Sequence, residues 1–154
     1  MLPAFDSDVA WELGTIIRTC LQRKHNRPAV VNIALANSTQ LFFATSHPGT
    51  LPDNMHWVKR KEAVVLRWGT SSLSMAAHMR LVSQSGKASM HRFEMADPSE
   101  RVCHGGGFPV RVKNVEGIVG VIVVDGLNQG EDDHGVIVDC IQEYLAINSP
   151  KYLK

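Results

Sequence analysis

Apolar residues follow two different spacings along the chain, and these spacings predict its helices and strands. Between residues 5 and 22 they recur at every third or fourth position, which is typical of a helix with one buried face. Residues 28–45 switch to the alternation of a strand hairpin that turns at "NSTQ". Helical spacing returns over 55–81, with a break predicted at Gly69. This part of the chain therefore predicts a helix, two strands and a pair of helices.

The last third of the chain has the strongest strand pattern. "FPVRVKNVEGIVGVIVVDGL" predicts a second hairpin that turns at "NVEG", and its run "IVGVIVV" is so continuously apolar that we expect it at the centre of the sheet. Because short turns join the strands of each hairpin, the pairing is predicted to be antiparallel. The fold class is therefore α+β in a single domain, 1–154. A last helix is predicted from the apolar stripe of Val136, Ile137, Cys140, Ile141, Tyr144 and Leu145.

The balanced charge argues against several classes of partner. The formal net charge is +1, so no strong field attracts nucleic acid or an anionic membrane. No apolar run reaches the roughly 18 residues of a membrane-spanning helix, and the N-terminus lacks the basic segment of a secretion signal. The three cysteines are widely spaced and odd in number, which fits a reducing compartment better than a disulfide framework. We therefore expect a cytoplasmic protein with neither nucleic acid nor membrane as a partner.

The stretch "CHGGGFPV" places three glycines in a row at Gly105, Gly106 and Gly107. Such a run builds the oxyanion hole of some lipases and esterases, because backbone N–H groups can approach an oxyanion where no side chain intervenes. That chemistry also needs a G-x-S-x-G nucleophile motif, which the sequence lacks. A non-enzyme is therefore favoured. Two interpretations of the glycines stay open, a bend that leads into a strand and a backbone cradle for an anion.

Charged residues suggest polar chemistry in two places. "EDDH", residues 131–134, could serve acid–base chemistry, but acids at a helix start are more often caps, and we expect them to cap the final helix. Arg60 and Arg67 lie seven positions apart on one helix face, where two guanidinium groups can bind a carboxylate or phosphate. Together with Lys59 and Lys61 they form a basic cluster of the kind that is usually a solvated face.

The seven histidines lack the spacing of a metal site, so no metal is predicted. His104 and His134 stand beside the glycine-rich and acid-rich loops, and either could be an axial ligand of haem iron. The commoner role of such histidines is that of a hydrogen-bonded polar side chain.

Three longer stretches carry a family resemblance: "DNMHWVKRKEAVVLRWGTSS" (53–72), "HGGGFPV" (104–110) and "GIVGVIVVDGLNQGEDDHGVIV" (117–138). In this order they resemble the haem-degrading-domain superfamily, the GlcG/HbpS-like proteins, and within it a branch of small cytosolic proteins of bacteria and fungi. The resemblance implies a profilin-like fold with an antiparallel sheet of about five strands, so a fifth strand is expected within 86–103. It also implies homo-oligomers such as rings of dimers. Asp125 stands where relatives carry a small residue, which would add a charge to a pocket there.

We expect an oligomeric protein that binds a small molecule or another protein. The pocket is predicted where the glycine bend meets the turn at 125–127 and the start of the last helix. A helix N-terminus attracts anions, so the expected ligand is a small anion. Two alternatives stay open: a haem-binding protein, with or without degradation of the haem, and a scaffold that presents a protein-binding surface. The predicted ligand-binding residues are His104, Gly105, Gly106, Gly107, Phe108, Asp125, Asp133, His134, Arg60 and Arg67.

Overall fold

The computed structural model describes residues 1–84 and 104–149 of the chain. The described ranges contain four helices and four strands. The helices are α1 (Ser7–Lys24), α2 (Pro52–Trp68), α3 (Ser72–Gln84) and α4 (Gly130–Asn148). The strands are β1 (Val30–Leu35), β2 (Gln40–Thr45), β3 (Gly107–Val110) and β4 (Gly120–Asp125). This confirms the α+β class; the fifth strand expected within 86–103 falls outside the described residues.

The strands form one sheet in the order β2-β1-β4-β3, and every neighbouring pair is antiparallel. All six residues of β4 are buried, because this strand lies inside the sheet and is covered on both faces. The prediction that the run "IVGVIVV" lies at the sheet centre is therefore confirmed. An apolar run without alternation is the pattern expected of such a strand.

Helices cover both faces of the sheet, so the domain has three layers. Helices α1 and α4 pack together on one face, and a large apolar core that includes Leu13, Ile17, Ile122 and Ile137 lies beneath them. Helix α2 packs against β3 and β4 on the other face, over a smaller core of valines. Helices α1 and α4 thus share one layer, and α2 covers the opposite face.

Gly69 ends α2 in the left-handed backbone conformation, with φ at 68°, which is the usual end of a helix at a glycine. The predicted break between two helices is thereby confirmed. Helix α3 then begins at Ser72. The Ser71 hydroxyl, just before it, accepts a hydrogen bond from the backbone N–H of Ser74 and so caps the start of the helix. None of the helices in the described ranges has the length and apolar character needed to cross a bilayer.

Candidate functional site

The centre of the candidate site is a buried lysine that joins three elements. Lys61 lies on the inner face of α2 with only 2% of its surface exposed. Its Nζ donates to the Val124 carbonyl at 3.0 Å, to Asp125 Oδ1 at 2.9 Å and to Asp133 Oδ2 at 3.0 Å. An ammonium group has three N–H bonds, so each of them has an acceptor. The lysine therefore ties α2 to the end of β4 and to the first turn of α4.

Both carboxylates of this cluster are held by further hydrogen bonds. Asp125 Oδ2 accepts from the Asn54 side-chain amide at 2.9 Å, and Asp133 Oδ1 accepts from the Leu127 backbone N–H at 3.1 Å. Burial raises the pKa of Asp133 to about 6, although the charge and hydrogen bond of Lys61 and the Leu127 N–H act in the opposite direction. Two acids facing one base give the cluster a formal charge of −1 when both acids are ionised.

A small recess opens from the cluster to the surface. We name it the bend recess; its volume is about 170 Å³ and it is lined by Trp57, Lys61, His104, Asp125, Leu127, Asn128, Gly130 and Asp133. At liquid density this volume corresponds to about six water molecules. His104 is exposed and meets the Trp57 ring edge-on at a centroid distance of 4.9 Å. The guanidinium of Arg60 lies 5.1 Å from the centre of the same Trp57 ring.

The three glycines let neighbouring backbone approach the bend closely. A Cβ on Gly105 would collide with the Gly130 carbonyl at the start of α4. Gly106 has φ at +120°, and a Cβ there would meet the Val124 carbonyl and lie 2.7 Å from Lys61 Nζ. The backbone N–H of Gly107 donates to the Ser72 hydroxyl at 2.8 Å. Protein atoms thus fill the space that the missing side chains leave, and at least this N–H is not free to cradle an anion.

The predicted ligand-binding residues do not all meet at the recess. His104, Asp125 and Asp133 line it, the glycines border it, and Arg60 reaches its rim through Trp57. Arg67 is exposed, lies 5.5 Å from the Trp68 ring centre and is not among the residues that line the recess. Arg60 and Arg67 therefore lie apart, because each guanidinium stacks on a different tryptophan.

Phe108 and His134 also lie away from the bend recess, against each other with ring centroids 5.7 Å apart. Phe108 lines a different cavity beside Leu2 and Val110. Burial lowers the pKa of His134, and across 1–84 and 104–149 no group forms a hydrogen bond with its buried Nδ1. These two aromatic side chains therefore belong to the α4 side of the sheet and not to the predicted pocket.

The expected helix cap at the acids of "EDDH" is wrong for Asp133. Helix α4 begins earlier than predicted, at Gly130 with Gln129 as its N-cap, so neither Asp132 nor Asp133 is the cap, and Asp133 points inward from the first turn to Lys61. Its buried partner competes more strongly for this carboxylate than exposed backbone N–H groups would. Glu131 and Asp132 stay exposed in the first turn, where they complement the helix dipole.

Lys61 is the site residue that the sequence interpretation missed, because it was assigned to a solvated basic cluster. A signal was nevertheless present in its spacing. Lys61 follows Val58 by three positions and precedes Val65 by four, which places it on the apolar stripe of α2. A lysine on such a stripe needs acidic partners in the core, and the structure provides them at the end of β4 and the start of α4.

Comparison with known proteins gives one family and several relatives. The model of the family described as "Haem degrading protein HbpS-like" matches residues 5–142. A UPF0303 protein of Zymomonas mobilis is 35% identical over 150 residues, which cover 97% of this chain and 76% of the relative. The match therefore spans the candidate site as well as the core.

Solved structures share the fold. The Ybr137w protein superposes with a TM-score of 0.81 at 27% identity, covering 95% of this chain and 81% of that one. A complex of PduOC with haem gives a TM-score of 0.65 at 17% identity, covering 90% of this chain and 94% of that one. At the lower identity the likeness concerns the fold alone.

Proposed function

Because the chain belongs to the HbpS-like haem-degrading family, we propose that it is a ligand-binding protein whose site is the bend recess. The recess combines an aromatic wall, Trp57, with polar groups that are fixed by buried hydrogen bonds. A preorganised set of this kind reduces the entropy lost when a ligand binds. The volume suits a molecule of a few heavy atoms, since pockets that enclose drug-sized ligands measure about 300–1,000 Å³.

One observation carries the choice of ligand, namely that all three N–H bonds of Lys61 have acceptors inside the protein. The lysine therefore offers no free donor to an anion, and Asp125 and Asp133 leave negative charge along the recess. A small cation or a neutral hydrogen-bond donor fits this lining better than the anion expected from the sequence. The planar face of Trp57 adds attraction for a cation.

Three probes of similar size test this proposal: guanidinium, acetamide and acetate at constant ionic strength. We expect guanidinium to shift the backbone amide NMR signals of Leu127, Asn128 and Gly130 in a saturable way, with millimolar affinity. Acetate should leave them unchanged. Saturation by acetate instead would restore the anion interpretation, and no saturable shift with any probe would contradict the proposed site.

Two variants sharpen this measurement. Trp57→Leu removes the aromatic wall and should weaken guanidinium binding at least about threefold, the lower end of a cation–π contribution. Arg67→Ala removes a guanidinium from the same helix but outside the recess, so the affinity should not change. A loss of binding in Arg67→Ala would place the ligand elsewhere on α2.

Haem binding is the second candidate, favoured by the exposed imidazole of His104 and by the solved PduOC:haem complex. The bend recess is too small and too polar to enclose a porphyrin, so haem would have to lie across its mouth with His104 as an axial ligand. Hemin added to the protein should then give a sharp Soret shift that saturates at one equivalent and is lost in His104→Ala. Broad absorption without saturation would contradict this candidate.

We also propose that the protein is a homo-oligomer. Several large apolar side chains are exposed on the single chain, among them Trp11 with 66% of its surface and Phe43 with 43%. Exposed tryptophan is enriched among the residues that dominate protein–protein interfaces. A symmetric contact between copies would cover this surface without another protein partner.

A further inference from the structure

A second concave site lies between α2 and the β1–β2 part of the sheet. We name it the sheet groove; its floor is formed by Asn32, Ala34 and Gln40 of the sheet, and its wall by Met55, Glu62 and Leu66 of α2. These α2 residues recur every four to seven positions, so they form one stripe of the helix. The groove has a volume of about 370 Å³, within the range of pockets that enclose small organic molecules.

A β-bulge shapes the floor of the groove. Ile33 pairs with Phe42, but the next residue, Ala34, pairs with Gln40, so Leu41 is the extra residue of β2. The bulge places Gln40 on the same face as Ala34 and Asn32. The Gln40 side-chain amide then donates to Asn32 Oδ1. This bond fixes which way the Asn32 amide points.

Asn32 presents an unused hydrogen-bond donor to the groove. Only 3% of the residue is exposed, and its Oδ1 is occupied by Gln40. Nowhere in the described ranges does a protein group accept a hydrogen bond from its Nδ2. Because Asn32 lines the groove, this N–H can donate to a water molecule or to a bound ligand.

An acceptor and apolar surface complete the groove. Glu62 is half-buried in the α2 wall, where burial raises the pKa of its carboxyl while a hydrogen bond with Ser38 and the charge of Lys59 oppose this rise. Met55 and Leu66 provide partly buried apolar surface on either side of Glu62. The groove therefore offers a donor in Asn32, an acceptor in Glu62 and flanking apolar contacts, and Ser38, Gln40 and Lys59 add polar groups to its lining.

We propose that the sheet groove is a second binding site, for a small neutral molecule that carries an amide or lactam group on an apolar body. The ligand carbonyl would accept from Asn32 Nδ2, and its N–H would donate to the Glu62 carboxylate. The apolar body would lie against Met55 and Leu66. The charges of Glu62 and Lys59 offset each other in the lining, which favours a neutral ligand over a carboxylate. An ammonium ligand would leave the Asn32 donor unpaired.

Benzamide, benzoate and benzylammonium separate these cases because they share one ring and differ in the polar group. We expect benzamide alone to shift the side-chain NH₂ signals of Asn32 and Gln40 in a saturable way. Stronger binding of benzylammonium or benzoate would overturn the amide assignment. No saturable shift with any of the three would overturn the site itself.

Variants test which groups bind the probe. Asn32→Leu keeps the side-chain volume but removes the donor, and should weaken benzamide binding at least about tenfold. Glu62→Leu changes the half-buried wall and should cause a similar loss even if Asn32→Leu does not fold. His104→Ala alters only the bend recess, so benzamide affinity should be unchanged, which separates this site from the proposed function.

A second copy of the chain is the competing occupant of the groove. In that case the Asn32 NH₂ signals would change on dilution of the protein, and benzamide would compete with self-association. Dilution-dependent Asn32 signals with no response to benzamide would overturn the proposal. Concentration-independent signals that respond to benzamide would support it.

Discussion

At the scale of single residues, the bend recess depends on close contacts that a substitution of Gly106 or Asp133 would disrupt. Gly106 combines a left-handed backbone with a neighbouring carbonyl where its Cβ would lie, and Asp133 is a buried acid on a lysine that is itself buried. The glycine run was predicted to be either a bend or a cradle. The close contacts with Val124 and Lys61 favour the bend. Sequence could not decide this, because the atoms that fill the space come from distant segments.

Gly106→Ala should therefore prevent stable folding. The new methyl group would meet backbone on β4 as well as the Lys61 ammonium, and φ at +120° is unfavourable for alanine. We expect a loss of more than about 2 kcal/mol in the free energy of unfolding, measured by urea denaturation. Gly135→Ala is the matched control, since a Cβ there meets nothing within 4 Å, and it should stabilise α4 by about 0.5–1 kcal/mol. A well-folded Gly106→Ala protein would contradict the structural role.

The Asp133 carboxyl should make stability depend on pH. Its pKa is about 6 in the folded protein and 3.8 ordinarily, so the folded chain binds this proton more tightly between those values. The protonated Asp133 carboxyl therefore adds to the free energy of unfolding below about pH 4. This contribution, up to about 3 kcal/mol, is lost as pH rises through 6. Asp133→Asn lacks this dependence.

Urea denaturation of both proteins at pH 4 and pH 7 checks this sign. The destabilisation caused by Asp133→Asn should be larger at pH 4 than at pH 7. Asp132→Asn removes an acid from the same helix start but on the exposed side, and serves as the control. An equal effect of Asp133→Asn at both pH values would show that the proton is bound no more tightly in the folded state.

At the scale of elements, periodicity predicted the helices and strands well, because apolar spacing reports directly which side of an element is buried. The centre strand "IVGVIVV" and the apolar stripe of α4 are the clearest cases. Charged residues are normally expected on the exposed side of a helix, and this expectation placed Lys61 wrongly in a solvated basic cluster. A basic cluster is normally solvated. Lys61 can be buried because its ammonium pairs with Asp125 and Asp133, which lie 64 and 72 positions further along the chain and offset the cost of removing the charge from water.

Lys61→Met should destabilise the packing of α2 on the sheet by about 3–5 kcal/mol, because it leaves two carboxylates buried without a counter-charge. It should also raise the pKa of Asp133 further, since the Lys61 charge now lowers it. Chemical denaturation and carboxyl NMR titration measure the two effects. The triple variant with Asp125→Asn and Asp133→Asn should recover part of the lost stability. A single variant as stable as the original chain would show that the cluster carries little net energy.

At the scale of the whole molecule, the sequence predicted the α+β class and the family, and both are confirmed. It also predicted a pocket where the glycine bend meets the turn at 125–127 and the start of the last helix, but it did not predict that Trp57 and Lys61 of α2 line the bend recess there. Such a site exists only once the sheet order β2-β1-β4-β3 is set, and that order depends on long-range pairing that local patterns do not encode.

The proposed homo-oligomer predicts a molar mass of at least two chains by light scattering. Trp11→Lys should lower that mass if the exposed tryptophan lies in a contact between copies, because a lysine ammonium is costly to bury there. Val115→Lys, at another exposed apolar position, is the control for added charge. A monomer at all concentrations would contradict the proposal.

The buried lysine also has a consequence for the order in which the chain folds. Lys61 meets its partners across sequence separations of 64 and 72 positions, so the cluster can assemble only after the hairpins and helices have come together. We expect its interactions to form late in folding, so that their loss in Lys61→Met speeds unfolding more than it slows folding. The ion cluster would then contribute to kinetic stability, because the folded chain would unfold more slowly with the cluster than without it.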